Sequence, residues 1–310
     1  EGMELDDLVN RTLKNTDSRT DVLRDLLMAV FADTRFLFYS DVEQAQEMRN
    51  HELVGRLAAF LWRSVPNKRL LDLASRDHPI TDTEVSAEVK RMLADSRVER
   101  FIADFAYSWT GLPKLDQIAI NPNYYRWWSP KYKDYMRQEP VAFMKTLLRE
   151  DLSCLNLLSS DFMVVNDVMA KYYGAPLPGS GHRFSRVPAS EGRGGILTQA
   201  AFLLAHSDGE DAHAVNRGVW LRGRLLGDPP RDPPPEVPAL SDLDEANPDA
   251  SALSNKERLS IHRKGICLDC HADIDPWGIA MESLDAAGKF RDNILRLTPD
   301  HKIKKRSLRV

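Results

Sequence analysis

Cysteine is scarce: Cys154, Cys267 and Cys270 are the only three in 310 residues, too few for the disulfide framework of a small secreted scaffold. Long hydrophobic runs are also missing. No apolar stretch approaches the roughly twenty residues that a membrane span requires, so no membrane span is expected. The opening residues, Glu1 to Asp7, are acidic with no apolar core behind them and do not read as a secretory signal. Positive charge is not in excess. The 42 Lys plus Arg against 46 Asp plus Glu give a net charge of -4, which argues against a nucleic-acid partner. What remains is 43% hydrophobic and 28% charged, a globular balance that predicts a packed core in a chain long enough for two domains.

Strand signals are scarce too, and the first two-thirds of the chain read as successive helices. Met3–Lys14 and Val22–Phe31 carry apolar residues at helical spacing, as does His51–Trp62 with Leu53, Leu57, Phe60 and Leu61 on one face. Thr81 followed by Glu84 is a capping-box signal ahead of Val85, Val89 and Met92. Helical spacing continues in Arg97–Thr110 and Tyr132–Leu148, with Pro140 expected as a kink or a boundary between two helices. Gly and Pro punctuate residues 174–195, and helical spacing returns at Ile196–Ala205 and Val215–Leu226. Six prolines then fall between Asp228 and Pro238, which excludes helix and predicts an extended spacer running through residue 254. The fold class expected is mostly α, with a helical segment at 1–45, a helical scaffold module at 46–175, a second module at 190–295 that includes the linker 228–254, and a basic tail at 296–310. Cys154 is expected to be a small buried residue. The aromatic run Tyr124, Tyr125, Trp127 and Trp128 is expected to be a core or domain-contact cluster.

One string carries high information: Cys267-Leu-Asp-Cys270-His271. Two thiols three residues apart on a helical turn can form thioethers with the vinyl groups of a haem, and the adjacent imidazole is placed to take the iron from the proximal side. Zinc would need four ligands, and the chain has no second cysteine pair, although His262 and His271 together would complete a set. A thioredoxin-type redox pair would need alternating strands and helices around it.

The sequence also resembles the planctomycete-type multi-domain cytochrome c family. The matching stretches are Leu57-Ala-Ala-Phe-Leu-Trp-Arg-Ser-Val-Pro66, Val89-Lys-Arg-Met-Leu-Ala-Asp-Ser-Arg97, Arg193-Gly-Gly-Ile-Leu-Thr-Gln199, Asn216-Arg-Gly-Val-Trp220 and Gly227-Asp-Pro-Pro. His262-Arg263 and Ile274-Asp-Pro-Trp-Gly-Ile-Ala-Met-Glu-Ser-Leu-Asp-Ala-Ala-Gly288 complete the series. The resemblance implies a bacterial protein, periplasmic or otherwise exported, with one haem in its C-terminal module. Two departures stand out. Asp208–Asn216 places His213 where the family usually has a hydroxyl, and Lys302–Arg309 follows where the family usually continues into another helical domain.

His271 is therefore expected as the proximal ligand, oriented by a carbonyl from the turn through Asp275 and Pro276. His206, at the end of the apolar run Phe202–Ala205, is the favoured distal ligand, with Met281, His213 and His262 as alternatives. Arg263, Lys264, Arg217 and Arg222 are candidates to pair with the haem propionates. Ile266, Leu268, Pro276, Trp277, Ile279 and Trp220 are candidates to lie against the ring. The function expected is single-electron transfer by an exported monohaem c-type cytochrome working with redox partner proteins. The Pro-rich strip and the basic tail are possible docking segments. Two alternatives stand beside it: a haem enzyme with an open distal site, and a zinc-binding interaction protein.

Overall fold

In a computed structural model, the residues described are 7, 9–11, 13, 18–33, 46–232, 253–263, 266–297 and 303–308. The chain is mostly α and divides into two compact units, Glu1–Arg91 and Met92–Val310. The division falls within one helix of the stretch 46–175. Most of the Met3–Lys14 stretch and of the Pro-rich strip lies outside the described residues. No described helix is long and apolar enough to cross a membrane.

In the first unit, α1 (Arg19–Ala32) is capped by Ser18. Helix α2 (Gln46–Trp62) is followed by α3 (Lys68–Ala74) and by α4 (Asp82–Ala94), which runs across the division. Val54, Ala58, Leu61 and Trp62 of α2 are buried, as are Leu70, Leu73 and Ala74 of α3. The Asn50 amide donates to the carbonyls of Arg76 and His78 and accepts from the Ile80 amide, which pins the loop before α4. The capping box forms as its spacing predicts: Thr81 Oγ1 accepts from the Glu84 amide, and Glu84 Oε2 accepts from the Thr81 amide. Burial pushes the Glu88 carboxyl up, but hydrogen bonds from Arg69 and Arg91 outweigh it and hold it below its ordinary value.

The second unit contains α5 (Val98–Trp109), α6 (Pro113–Gln117) and α7 (Tyr132–Arg149), then α8 (Asp167–Tyr173) and α9 (Ala200–Ala205). It continues with α10 (Ala214–Trp220), α11 (Asn255–His262) and α12 (Ile266–Ile279). Helix α7 runs unbroken through Pro140, so the expected boundary there is corrected. Strands β1 (Phe162–Val165) and β2 (Ser185–Pro188) pair antiparallel, Phe162 opposite Pro188. A second antiparallel pair, β3 (Asn293–Leu297) and β4 (Ile303–Ser307), takes in part of the basic tail. Cys154 begins a short 3-10 turn and is exposed rather than buried.

Every residue of α9 is buried, and the helix separates two apolar clusters. Ala200, Ala201, Leu204 and Ala205 face one cluster with Met136, Met169 and Tyr172, whereas Phe202 and Leu203 face another with Phe143, Trp220 and Met281. The aromatic run joins the first. Trp127 and Trp128 meet Tyr172 edge-on, and the Lys289 ammonium lies 4.1 Å from the Trp127 ring centroid.

Beneath α9, Tyr173 donates to Glu139 Oε2 at 2.6 Å and accepts from the Ala200 amide at 2.7 Å. Burial raises the Glu139 carboxyl from 4.5 to about 7, against the smaller opposing effects of Tyr173 and Arg193. Between those two values the folded state holds a proton that the unfolded state has lost. This contribution to stability is therefore complete below pH 4.5 and disappears as pH rises through 7. Urea unfolding across that range should show the wild type losing on the order of 3 kcal/mol relative to Glu139→Gln.

Helices α10 and α12 approach backbone to backbone. A Cβ at Gly278 would collide with the Ala214 carbonyl, and one at Gly218 with the Ile274 carbonyl. These contacts pair 214 with 278 and 218 with 274, so the two helices run antiparallel. Gly278→Ala should lower stability by about 3 kcal/mol in thermal or denaturant unfolding, because neither backbone can retreat without disturbing its own helix.

Candidate functional site

Helix α12 carries the whole Cys267–His271 string. At 3.6 residues per turn, Cys267, His271, Ile274 and Gly278 form one stripe, with Cys270 at its edge. Ile274 and Gly278 form the half of that stripe that meets α10. Cys267 and Cys270 are free, partly exposed thiols.

His271 Nδ1 donates to Asp275 Oδ1 at 2.8 Å, one helical turn on. Asp275 is wholly buried, with Arg263 Nε 3.7 Å from its other carboxylate oxygen. The expected orienting group is thereby corrected. Residues 275 and 276 lie in the helix rather than in a turn, and the partner is a carboxylate side chain rather than a backbone carbonyl. Spacing alone could have found it, since His and Asp at i and i+4 face each other on a helix. A neutral imidazole that donates from Nδ1 carries its lone pair at Nε2. Two free thiols, an imidazole in this tautomer and a carboxylate behind it form a donor set that fits covalent haem attachment.

The distal candidates have other roles. His206 is buried against the Phe202 and Trp220 rings, and its Nδ1 donates to the Phe202 carbonyl at 2.9 Å. Burial lowers its pKa to about 4, so it is neutral. Trp220, beside His206, and Gly218, against α12, lie on nearly opposite sides of α10 because two residues turn a helix by about 200°. His206 thus serves the core, with its ring against Phe202 and Trp220 and its Nδ1 engaged by the Phe202 carbonyl. His213 caps α10, its Nδ1 accepting from the Asn216 amide at 3.3 Å, and burial lowers its pKa. Met281 is 8% exposed and packs in the apolar cluster with Phe202 and Trp220. The His262 and Ile266 side chains, and Lys264, lie outside what the structure describes.

Three further assignments change. Arg217 is fully buried and cannot meet a propionate. It donates to the carbonyls of Met281 (2.9 Å), Leu284 (2.7 Å), Leu203 (3.4 Å) and Asp285 (2.9 Å). Trp220 faces the core, donating from its indole to the Trp109 carbonyl at 2.8 Å. Arg222 is held by Asp228 and by Asp273 of α12. Arg263 remains within reach of the string but stands over Asp275, while Trp277 and Leu268 are each 45% exposed and Pro276 is exposed. Among the described residues no cluster of three or more His, Cys, Asp or Glu is arranged to hold a metal ion.

Comparison with protein families finds two matches. Residues 48–175 match PSD4, a protein of unknown function (DUF1592), and residues 193–294 match PSCyt3, a protein of unknown function (DUF1588). The chain carries both domains in tandem. They are associated with planctomycete cytochromes c and are typical of multi-domain proteins of that kind. The Cys267–His271 string lies inside the DUF1588 match, and Asp275 and Arg217 lie there too. No curated protein and no solved structure matches the chain.

Arg217 is the residue that ties α9, α10 and the turn after α12 together. Arg217→Met should therefore cost about 3–5 kcal/mol in denaturant unfolding, because it leaves several buried carbonyls without a donor.

Proposed function

We propose that the DUF1588 domain is a monohaem c-type cytochrome module that passes single electrons to redox partner proteins or subunits. Haem c would be attached through Cys267 and Cys270 and ligated by His271. The observation that carries this reading is the His271–Asp275 hydrogen bond, formed on the same helix as two free thiols. The haem supplies a one-electron couple at its iron. Asp275 holds the imidazole tautomer and ring orientation, so that Nε2 presents its lone pair without rearrangement. The close backbone contact between α10 and α12 would hold the helix that bears the string in place, which would favour a constant geometry between oxidation states. Export to the periplasm is inferred from the resemblance to multi-domain cytochromes.

A second reading, a haem enzyme with an open distal position, is favoured by one specific observation: His206, His213 and Met281 all serve the core or a helix cap. The zinc reading is not supported by any gathered set of ligands among the described residues.

Protein purified from a host able to attach haem should carry the mass of one covalent haem and show a c-type visible spectrum. Cys267→Ala with Cys270→Ala should abolish both. Unmodified cysteines in the wild-type protein would refute both haem readings. A reduced spectrum that carbon monoxide leaves unchanged supports electron transfer alone, whereas a shift moves the open-site enzyme to first place.

A further inference from the structure

Resting on the haem reading above, we infer that Asp275 is the positioning residue of this site: it lowers the reduction potential through its bond to His271, with Arg263 as its countercharge. Most groups that could orient the imidazole, such as a backbone carbonyl, are neutral. A carboxylate accepts the Nδ1 proton more strongly, because hydrogen bonds to charged acceptors are the stronger kind. The ring then carries more negative charge and donates more from Nε2, which stabilises ferric iron over ferrous.

Burial amplifies the effect. Asp275 is 0% exposed, so water does not compete for its oxygens, and the low local dielectric strengthens what bonds it makes. Its two oxygens have different surroundings. Oδ1 accepts from His271 at 2.8 Å, whereas Oδ2 and Arg263 Nε, both buried, face each other at 3.7 Å and have no hydrogen-bond partner among the described residues. A buried carboxylate without a nearby cation would be strongly disfavoured, and the Arg263 guanidinium offsets part of that cost. Arg263 thus serves Asp275, whereas the sequence suggested a propionate. Charge runs in one line from Arg263 through Asp275 to the imidazole of the attachment string.

The test is a redox titration of the haem-loaded full chain, wild type against Asp275→Asn, with intact mass and circular dichroism on both. The variant keeps the shape and an acceptor oxygen but removes the charge. At a fixed potential its ferric-to-ferrous ratio should fall at least tenfold, about 59 mV for one electron. A smaller change in a folded, haem-loaded variant overturns the inference and leaves the haem reading standing. Absence of covalent haem from the wild type overturns both.

If Asp275→Asn does not fold, proton NMR of the reduced wild type under carbon monoxide decides. That form is diamagnetic whether the gas or a side chain takes the sixth position. A His271 Nδ1 proton protected from solvent exchange is expected, and exchange as fast as in an exposed imidazole overturns the assignment.

Discussion

A guanidinium with no access to solvent holds the second unit together. Arg217 sits at 0% exposure and answers the carbonyls of Leu203, Met281, Leu284 and Asp285. The planar, five-donor head of arginine is suited to this task, since it can reach several acceptors at fixed angles where a lysine ammonium acts as a compact point charge. Burial lowers its pKa to about 10, so it remains protonated at any physiological pH. The carbonyls it satisfies belong to the end of α9 and to the turn that follows α12. A helix end buried without such partners would be unstable. The position of α12 therefore depends on a charge on the neighbouring helix.

From that anchor the rest of the site follows by proximity. Arg217 fixes the rotation of α10, which turns Ala214 and Gly218 toward α12 and Trp220 toward the core. Without side chains at Gly218 and Gly278, the two backbones come into contact, and α12 has little freedom to slide or roll. On a helix held in this way, the His271–Asp275 pair has a defined place, and Arg263, directly after α11, lies 3.7 Å from the buried carboxylate. Helix α11 is in turn fixed by its own capping box at Ser254 and Glu257 and by the Asn255 amide, which donates to Glu282 Oε1 at 2.7 Å. Together these contacts define the surroundings of one imidazole.

Much of this was legible in the sequence because it depends on neighbours along the chain. Helical apolar spacing located α1, α2, α5 and α7, and the Thr81–Glu84 cap marked the start of α4, since both signals operate within one or two turns. The placing of Cys267, Cys270 and His271 on one helical turn was legible for the same reason. The i, i+4 relation between His271 and Asp275 was equally local, although attention to the proline beside it directed the expectation to a carbonyl. Pro140 misled in a related way. Its cost to a helix is local, but packing of α7 against buried partners outweighs it.

By itself, the sequence determined that the fold is mostly α and put two thiols and an imidazole on one helical turn, because those properties are set by near neighbours. It could not determine which polar residues would be drawn into the core. His206, Arg217 and Trp220 each looked like a candidate to meet the cofactor, and each belongs to the interior. Only the tertiary structure decided this, because burial depends on which helix face meets which, and here α10 turns Trp220 into the core beside His206 while Gly218 meets α12. The physical reason is one of range: hydrogen bonds and helical periodicity act over a few residues, whereas packing joins residue 217 to residue 281 and residue 206 to residue 111.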